Sequence, residues 1–299
     1  MNILVTGANG FLGQHLIKYF SARQYSVAAA NRGKRRVPDD IVFNYFSTDF
    51  TDASAVLKLV AETNPQVIIH TAAISKPDEC ENDKDYCLQN NVEATRHLLQ
   101  AFKLIQSPGA LFIYLSTDFV FGEDGPHSEG DIKNPLNFYG ESKLRAEELV
   151  IDSGLRYSIV RPVFIYGEVW TSLRPSFLHW VKNSLEAHKP IKVVSDQLRT
   201  PTHVYDICEG IEAIIKQQKT GIYHLAGKDI LSPYKMAIIT ANVLGLDDGL
   251  IENVTSEIFP EPVKRAKRSG LKIDKAAAEL LYEPVSFEEG VRMTFGLSA

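Results

Sequence analysis

A short apolar run, Ile3–Thr6, passes through "GANGFLG" directly into a helix-like segment, so Gly7, Gly10 and Gly13 stand three apart at a strand-to-helix turn. A helix N-terminus leaves backbone N–H groups without partners, and glycines let a pyrophosphate come close to them. The spacing departs from the G-x-G-x-x-G dinucleotide fingerprint, so the turn alone fits a plain structural bend as well as a nucleotide cradle. Either way, the chain must begin with a βα unit.

The rhythm continues. Strands are expected at Ile3–Thr6, Ser26–Ala30, Ile41–Tyr45, Val67–His70, Leu111–Ser116 and Tyr157–Arg161, with helices starting near Phe11, Asp52, Asp83 and Leu136. The run from Asp83 to Lys103 reads as one long helix with Val92, Leu98, Leu99 and Phe102 on its apolar face. Strands that are apolar along their whole length suit a parallel sheet covered on both faces. The expected fold is therefore a doubly wound α/β, Rossmann-type parallel sheet. After Tyr166 the segments become irregular and the strands isolated. The expected division is a Rossmann domain over 1–166, with 203–224 returning to it, and a smaller C-terminal lobe from 167–202 and 225–299 over the sheet's carboxyl edge.

Bulk properties exclude several classes. A net charge of −5 over 299 residues offers no basic field for nucleic acid or an anionic membrane. No run reaches the ~20 apolar residues of a membrane span. The opening residues read as a strand and not as a signal peptide. The three cysteines, Cys80, Cys87 and Cys208, make neither a metal-ligand spacing nor a disulfide framework. A soluble cytoplasmic protein is expected, with no metal.

The second strand ends in "NRGKRR". An acid there would hold a ribose 2′-hydroxyl; Asn31, Arg32 and Arg35 would instead welcome a 2′-phosphate, or form a solvated basic loop. Asp49 could accept from an adenine amino group beside Phe50, and Asp52 fits a helix cap. Further on, Tyr139 and Lys143 are four apart, on one face of a helix. A lysine ammonium close by favours the phenolate, which would bring a tyrosine pKa of ~10 toward neutrality. Ser116 and Thr117 end a strand at the sheet's carboxyl edge, where they can orient a carbonyl oxygen.

The glycine turn, Asp49, "HTAA" at 70–73, Asn91, "STD" at 116–118 and "YGESK" at 139–143 together resemble the extended short-chain dehydrogenase/reductases, over nearly the whole chain. Within that superfamily, "STDFVF", "PLNFYGESKL", "DQLRTPT" and "GIYHLAG" are similar to the dTDP-4-dehydrorhamnose reductases. The resemblance implies Thr117, Tyr139 and Lys143 as the catalytic set, with Tyr139 as proton donor. It implies NADPH, with NADH also admissible, held by Gly7, Asn9, Gly10, Phe11, Leu12, Asn31, Arg32, Arg35, Asp49, Phe50, Thr71, Ala72, Ala73, Asn91, Tyr139, Lys143, Pro162 and Val163. Asn91 is equally suited to satisfying a backbone group. For a nucleotide-bound 4-keto-6-deoxy sugar, the implied contacts are Ser75, Lys76, Asp118, Phe164, Gln197, Arg199 and Arg265. Arg265 belongs to a cluster with Lys264 and Arg268 that reads equally as solvated surface. A monomer or homodimer is expected.

The chain departs from the family in two places where the sugar lies. Ile74 to Asp78 replace a Tyr-Thr-containing stretch, and Phe164 stands where a tryptophan is common. Residues 187–190, Ala-His-Lys-Pro, lack the acids by which some family dimers share a metal. Asp118 is followed by Phe119 and not by glutamate, so the acid pair of the related dehydratases is incomplete. An epimerase and a non-catalytic NADP-binding subunit like that of methionine adenosyltransferase use the same motifs and stay open as alternatives.

Overall fold

Period-two alternation within apolar strands sorts the interior into two layers. In the computed structural model, which describes residues 1–38, 40–105, 109–170, 173, 175–259 and 262–297, the first half runs β1 (Asn2–Thr6), α1 (Phe11–Ser21), β2 (Ser26–Asn31), β3 (Asn44–Ser47), α2 (Ala53–Thr63), β4 (Val67–His70), α3 (Pro77–Asn82), α4 (Lys84–Leu88), α5 (Ala94–Ile105), β5 (Leu111–Leu115), α6 (Phe138–Asp152) and β6 (Tyr157–Arg161). The second half adds β7 (Ile165–Tyr166), α7 (Phe177–Glu186), β8 (Ile191–Val194), β9 (Thr202–His203), α8 (Val204–Lys216), β10 (Gly221–His224), α9 (Pro233–Leu244), β11 (Ile251–Val254), α10 (Asp274–Leu280) and α11 (Phe287–Thr294). Ile3 and Val5 of β1, Val67 and Ile69 of β4, and Ile113 of β5 face a core shared with α1 and α8. Leu4, Ile68 and Phe112, one residue out of phase, face a second core shared with α2, α5 and α6.

The main sheet is parallel throughout, in the order β10-β6-β5-β4-β1-β2-β3. It is the doubly wound, Rossmann-type fold expected from the strand rhythm. β1 pairs with both β2 and β4, so the order reverses between β1 and β4. Loops leaving neighbouring strands in opposite directions open a crevice at that point, where such folds bind ligands. β10 joins the sheet beside β6, carried there by α8.

Three local expectations differ from the fold. The third strand was expected at Ile41–Tyr45, but its ladder starts at Asn44, paired with Ala28. Ile41 instead gives its carbonyl to Arg35 Nη2 at 2.8 Å, which keeps 41–43 in a loop. The long helix expected from Asp83 is interrupted by a π-helical turn at Gln89–Glu93; Leu98, Leu99 and Phe102 still pack on the sheet. The later strands are paired, not isolated: β8 with β11 and β7 with β9. With α7 and α9 the β8–β11 pair encloses a small core of its own around Val181, Leu185, Ile191, Val193 and Ala237. Among the described residues, no helix is long and apolar enough to cross a membrane.

The glycines of the first turn set how closely α1 approaches the sheet. Gly7 has φ of +73°, and a Cβ there would lie 2.5 Å from Thr71 Oγ1 and 2.7 Å from the Ala72 nitrogen. On Gly13 it would lie 2.2 Å from the Gly7 carbonyl oxygen, which is backbone and cannot swing away. Gly13→Ala should therefore push α1 off β1 and cost ~2 kcal/mol or more, the scale of overpacking in a closed core. Urea unfolding checks this; a midpoint equal to wild type would show that the helix has room to move.

Candidate active site

At the switch point the chain turns from β1 into α1. Gly10 caps the helix in an extended conformation without a side-chain cap, and the first helical turn carries no acid. The positive end of the helix is thus uncompensated and faces the groove. On the β2 side, Gly7, Asn31, Arg32, Asp49 and Phe50 line a pocket of about 250 Å³, closed on the β4 side by Thr71, Ala72 and Ala73. Arg32 lies between Asp49, 4.0 Å from its carboxylate, and Tyr86, whose hydroxyl accepts from Nη2 at 3.2 Å. Asp49 is kept below the usual carboxylate range, chiefly by the Thr51 backbone N–H and hydroxyl. Asp52 caps α2 through Ser54 and Ala55.

Gly10, Thr71 and Ala73 also line a larger cleft of about 670 Å³, which holds Phe11, Leu12, Ser116, Thr117, Tyr139 and Lys143. The two cavities form one groove across the sheet edge. α6 delivers Tyr139 and Lys143 to it, and Gly140 allows that helix to touch the preceding turn, since a Cβ there would lie 2.1 Å from the Phe119 carbonyl oxygen. Farther along α6, Glu147 grips Arg161 at the end of β6 through two bonds, Nε to Oε1 at 2.8 Å and Nη2 to Oε2 at 2.6 Å. Both side chains are buried.

The electrostatics differ from the sequence expectation. Burial pushes the Tyr139 phenol above its ordinary range; the hydrogen bond with Thr117 pulls it back and the Asp118 charge opposes that. Lys143 does not offset this burial. Its Nζ donates to the Leu115 carbonyl at 2.6 Å and sits 4.2 Å from the centre of the Tyr114 ring. Burial brings Lys143 itself down to about 7, against the attraction of Glu147 and the two thiols Cys87 and Cys80. His70, buried between Thr6 and Thr95, is held neutral by burial and by Lys143. Ser116 Oγ is buried in the cleft with no hydrogen-bond partner.

Asp118 and Phe119 connect the cleft to a recess lined by Asn137, Arg199, Arg265 and Ser269. Asp118 is pushed above the usual carboxylate range by burial, with Arg199 pulling the other way. Arg199 donates to Gln197, and Arg265 Nη2 donates to Asp78 at 3.1 Å. Phe164 stands at the cleft with φ of +39°, a backbone region bulky residues seldom adopt.

Several expected contacts lie elsewhere. Asn9 spends its amide on the basic loop, donating to the Lys34 carbonyl at 2.9 Å and accepting from the Arg36 N–H. Arg35 is turned into the same loop, donating to Val37, Pro38 and Ile41 carbonyls with its guanidinium over Phe43; Arg32 lines the pocket instead. Asn91 stands behind the wall and satisfies backbone: its Oδ1 accepts from Ile74 N–H at 2.7 Å and its Nδ2 donates to the Ile74 carbonyl at 3.1 Å. Val163 is buried against Thr202, while Pro162 lines the cleft. Lys76 pairs with Glu79 at the surface, whereas Ser75 lines the cleft. Two residues of the recess were not among those expected: Ser269, which long-range folding brings there and no local pattern marks, and Asn137, the N-cap of α6, whose side chain accepts from the Gly140 N–H at 3.0 Å.

The chain matches the RmlD substrate binding domain family over residues 1–297 and belongs to it. It is 31% identical over 273 residues to methionine adenosyltransferase 2 subunit beta of Bos taurus, covering 89% of this chain and 78% of that one. It is 29% identical over 283 residues to the probable low-salt glycan biosynthesis reductase Agl14 of Haloferax volcanii, covering 94% and 92%. Among solved structures, dTDP-4-dehydrorhamnose reductase from Bacillus anthracis in complex with NADP superposes with a TM-score of 0.86 at 28% identity over 98% of both chains. UDP-glucuronic acid 4-epimerase from Bacillus cereus, in complex with UDP-glucuronic acid and NAD, gives 0.84 at 25% identity, over 99% and 98%. The structure is thus dTDP-4-dehydrorhamnose reductase-like, as the motifs implied.

The buried lysine carries a stability cost with a defined pH window. Its pKa falls from 10.5 unfolded to about 7 folded, so the folded state binds fewer protons between these values. Stability must rise with pH across that window, and the full cost is felt below it. Lys143→Met should stabilise the protein by roughly 1–3 kcal/mol near pH 6, with the gain fading toward pH 10. Urea unfolding at both pH values checks this; a gain that does not shrink would mean that the ammonium is not the source.

Proposed function

We propose that this member of the RmlD substrate-binding-domain family reduces the 4-keto group of a nucleotide-bound 6-deoxy sugar with NADPH, as a dTDP-4-dehydrorhamnose reductase does. The observation that carries the reading is one continuous groove. It has a cation, Arg32, in the pocket at one end, hydroxyl donors Thr117 and Tyr139 in the middle, and the Arg199–Arg265 recess at the other. The residues fit a dinucleotide. The acid-free start of α1 suits a pyrophosphate, Arg32 suits a 2′-phosphate, and the unpartnered Ser116 hydroxyl awaits a polar ligand atom. On this reading 1–166 and 203–224 hold the cofactor, and the remaining lobe closes on the sugar.

When bound, the nicotinamide supplies the hydride. The chain's own part is to hold the ketone and complete the charge balance. Thr117 and Ser116 orient the carbonyl oxygen, and Tyr139 donates its phenolic proton there as negative charge develops. A phenol whose pKa is pushed up by burial is fully protonated at neutral pH, which suits a proton donor. Lys143, released from the Leu115 carbonyl toward the nicotinamide ribose, would supply the positive charge that stabilises the resulting phenolate. Arg199 and Arg265 offer charge-assisted donors to a diphosphate. The NADP complex of the Bacillus anthracis relative supports NADPH, and the NAD complex of the epimerase leaves NADH admissible. A dTDP-rhamnose pathway role, a cytoplasmic location and a monomeric or homodimeric state belong to the same proposal.

A second reading is a non-catalytic subunit that binds NADP and a partner. It is favoured by the 31% identity to methionine adenosyltransferase 2 subunit beta, and by Lys143 bonding to the Leu115 carbonyl. NADPH consumption with dTDP-4-keto-L-rhamnose separates the two. Turnover is expected, and Tyr139→Phe should lower it ~10³-fold with NADPH still bound; cofactor binding without consumption of this or related keto sugars would favour the subunit. For the cofactor, Arg32→Ala should weaken NADPH ~10-fold or more and leave NADH nearly unchanged. Arg35→Ala should lower stability and spare that preference. Titration of both cofactors with both variants decides which arginine reads the phosphate.

A further inference from the structure

Tyr86, in α4, has no role in the chemistry above, yet its hydroxyl accepts from Arg32 Nη2 at 3.2 Å. That bond joins the two flanks of the nucleotide pocket. Arg32 follows β2 and lines the pocket on one flank; Asn90, one helical turn beyond Tyr86, lines it on the other. The tyrosine is held by both of its backbone groups. Its N–H donates to Asp83 Oδ1 at 2.9 Å, and its carbonyl accepts from Asn90 Nδ2 at 2.8 Å. The ring is therefore presented to Arg32 from a fixed backbone.

Arg32 needs such a hold, because 46% of its side chain is exposed. An arginine that becomes ordered only when a ligand arrives gives up rotamer freedom at that moment, and the loss subtracts from affinity. An arginine already in place avoids most of it. Two groups are near enough to fix the guanidinium. Asp49 Oδ2 lies 4.0 Å from Nη1, beyond hydrogen-bond distance, and the Oδ1 of the same carboxylate takes the Thr51 N–H at 2.9 Å and the Thr51 hydroxyl at 2.8 Å. Tyr86 is the closer partner, and it differs in kind. A carboxylate in contact would offset the arginine's charge. A phenol is a neutral acceptor, so it occupies one of the five N–H donors and leaves the charge and the rest of the fork to an anion.

We infer that Tyr86 is a positioning residue for cofactor preference: it holds the Arg32 guanidinium at the pocket, so that a ribose 2′-phosphate meets an arginine already in place. This rests on the cofactor reading above, in which Arg32 binds that phosphate. A dinucleotide that carries a 2′-hydroxyl instead offers Arg32 no charge to bind. Loss of the Tyr86 hydroxyl should therefore be felt by NADPH and not by NADH.

The test titrates the full-length protein with NADPH and with NADH, in four forms: unaltered, Tyr86→Phe, Arg32→Ala and the double variant. Tyr86→Phe removes the hydroxyl and keeps the ring. It should weaken NADPH about fivefold and leave NADH within about twofold. In the Arg32→Ala background the same change should have no effect on either cofactor, because the tyrosine acts through the arginine. Equal weakening of both cofactors by Tyr86→Phe would mean that the residue only supports the fold, and would overturn the proposal. So would an undiminished effect of Tyr86→Phe in the Arg32→Ala background, or an unchanged preference in Tyr86→Phe when Arg32→Ala abolishes it. Failure of the cofactor reading looks different: the unaltered protein would bind the two cofactors equally and Arg32→Ala would change neither, which would remove the phosphate site and the proposal with it.

Discussion

The buried ion pair between Glu147 and Arg161 is the fixed point of the molecule. It joins α6, which carries Tyr139 and Lys143, to the end of β6 in the sheet. Arg161 extends the tie to His224 Nε2 at 3.4 Å, and Glu129 accepts from the His224 N–H at 3.1 Å, so β10 and the loop before α6 are drawn in as well. Two charges removed from water are held only at a large desolvation cost, which close bidentate geometry offsets. A hydrophobic pair of the same shape could match it in stability. What the pair adds is direction: it admits one rotation and one height of α6 on the sheet. The same carboxylate lies one helical turn from Lys143 and is the principal charge keeping that buried ammonium protonated.

At the opposite side of the groove, position is set by the lack of side chains. Gly7 and Gly13 occupy contacts where backbone meets backbone, and a methyl group would force strand and helix apart. Charged anchoring on one side and close backbone packing on the other define a groove at the point where the strand order reverses. Within it, burial sets the chemistry. The tyrosine is kept protonated, the lysine is brought close to neutrality, and Asp118 rises in its recess while Arg199 restrains it.

The fold was legible because its signals are local. Uninterrupted apolar strands, the three-spaced glycines and the Asp52 cap each act within one or two elements, and, the third strand apart, the strands, the strand-to-helix turn and the capped helix all stand where they were expected. The strand starting at Asn44 was misplaced because Ile41 and Phe43 are apolar for a different reason: they pack against the core from a loop whose carbonyls Arg35 takes up. The π-turn around Asn91 has no local mark in the sequence, and the two hydrogen bonds that Asn91 exchanges with Ile74 join residues seventeen apart.

For the candidate site, the sequence by itself determined which chemical groups stand at the carboxyl edge: Thr117 at a strand end, and Tyr139 and Lys143 on one helical face. Periodicity and strand direction are properties of consecutive residues, so they can be read without neighbours. Tertiary structure alone decided what those groups bond to. It turned Arg35 inward and left Arg32 at the pocket, aimed Lys143 at the Leu115 carbonyl, and brought Ser269 to Asp118. Hydrogen bonding and desolvation depend on which atoms meet after the chain has folded, and residues far apart in the sequence carry no mark of that meeting.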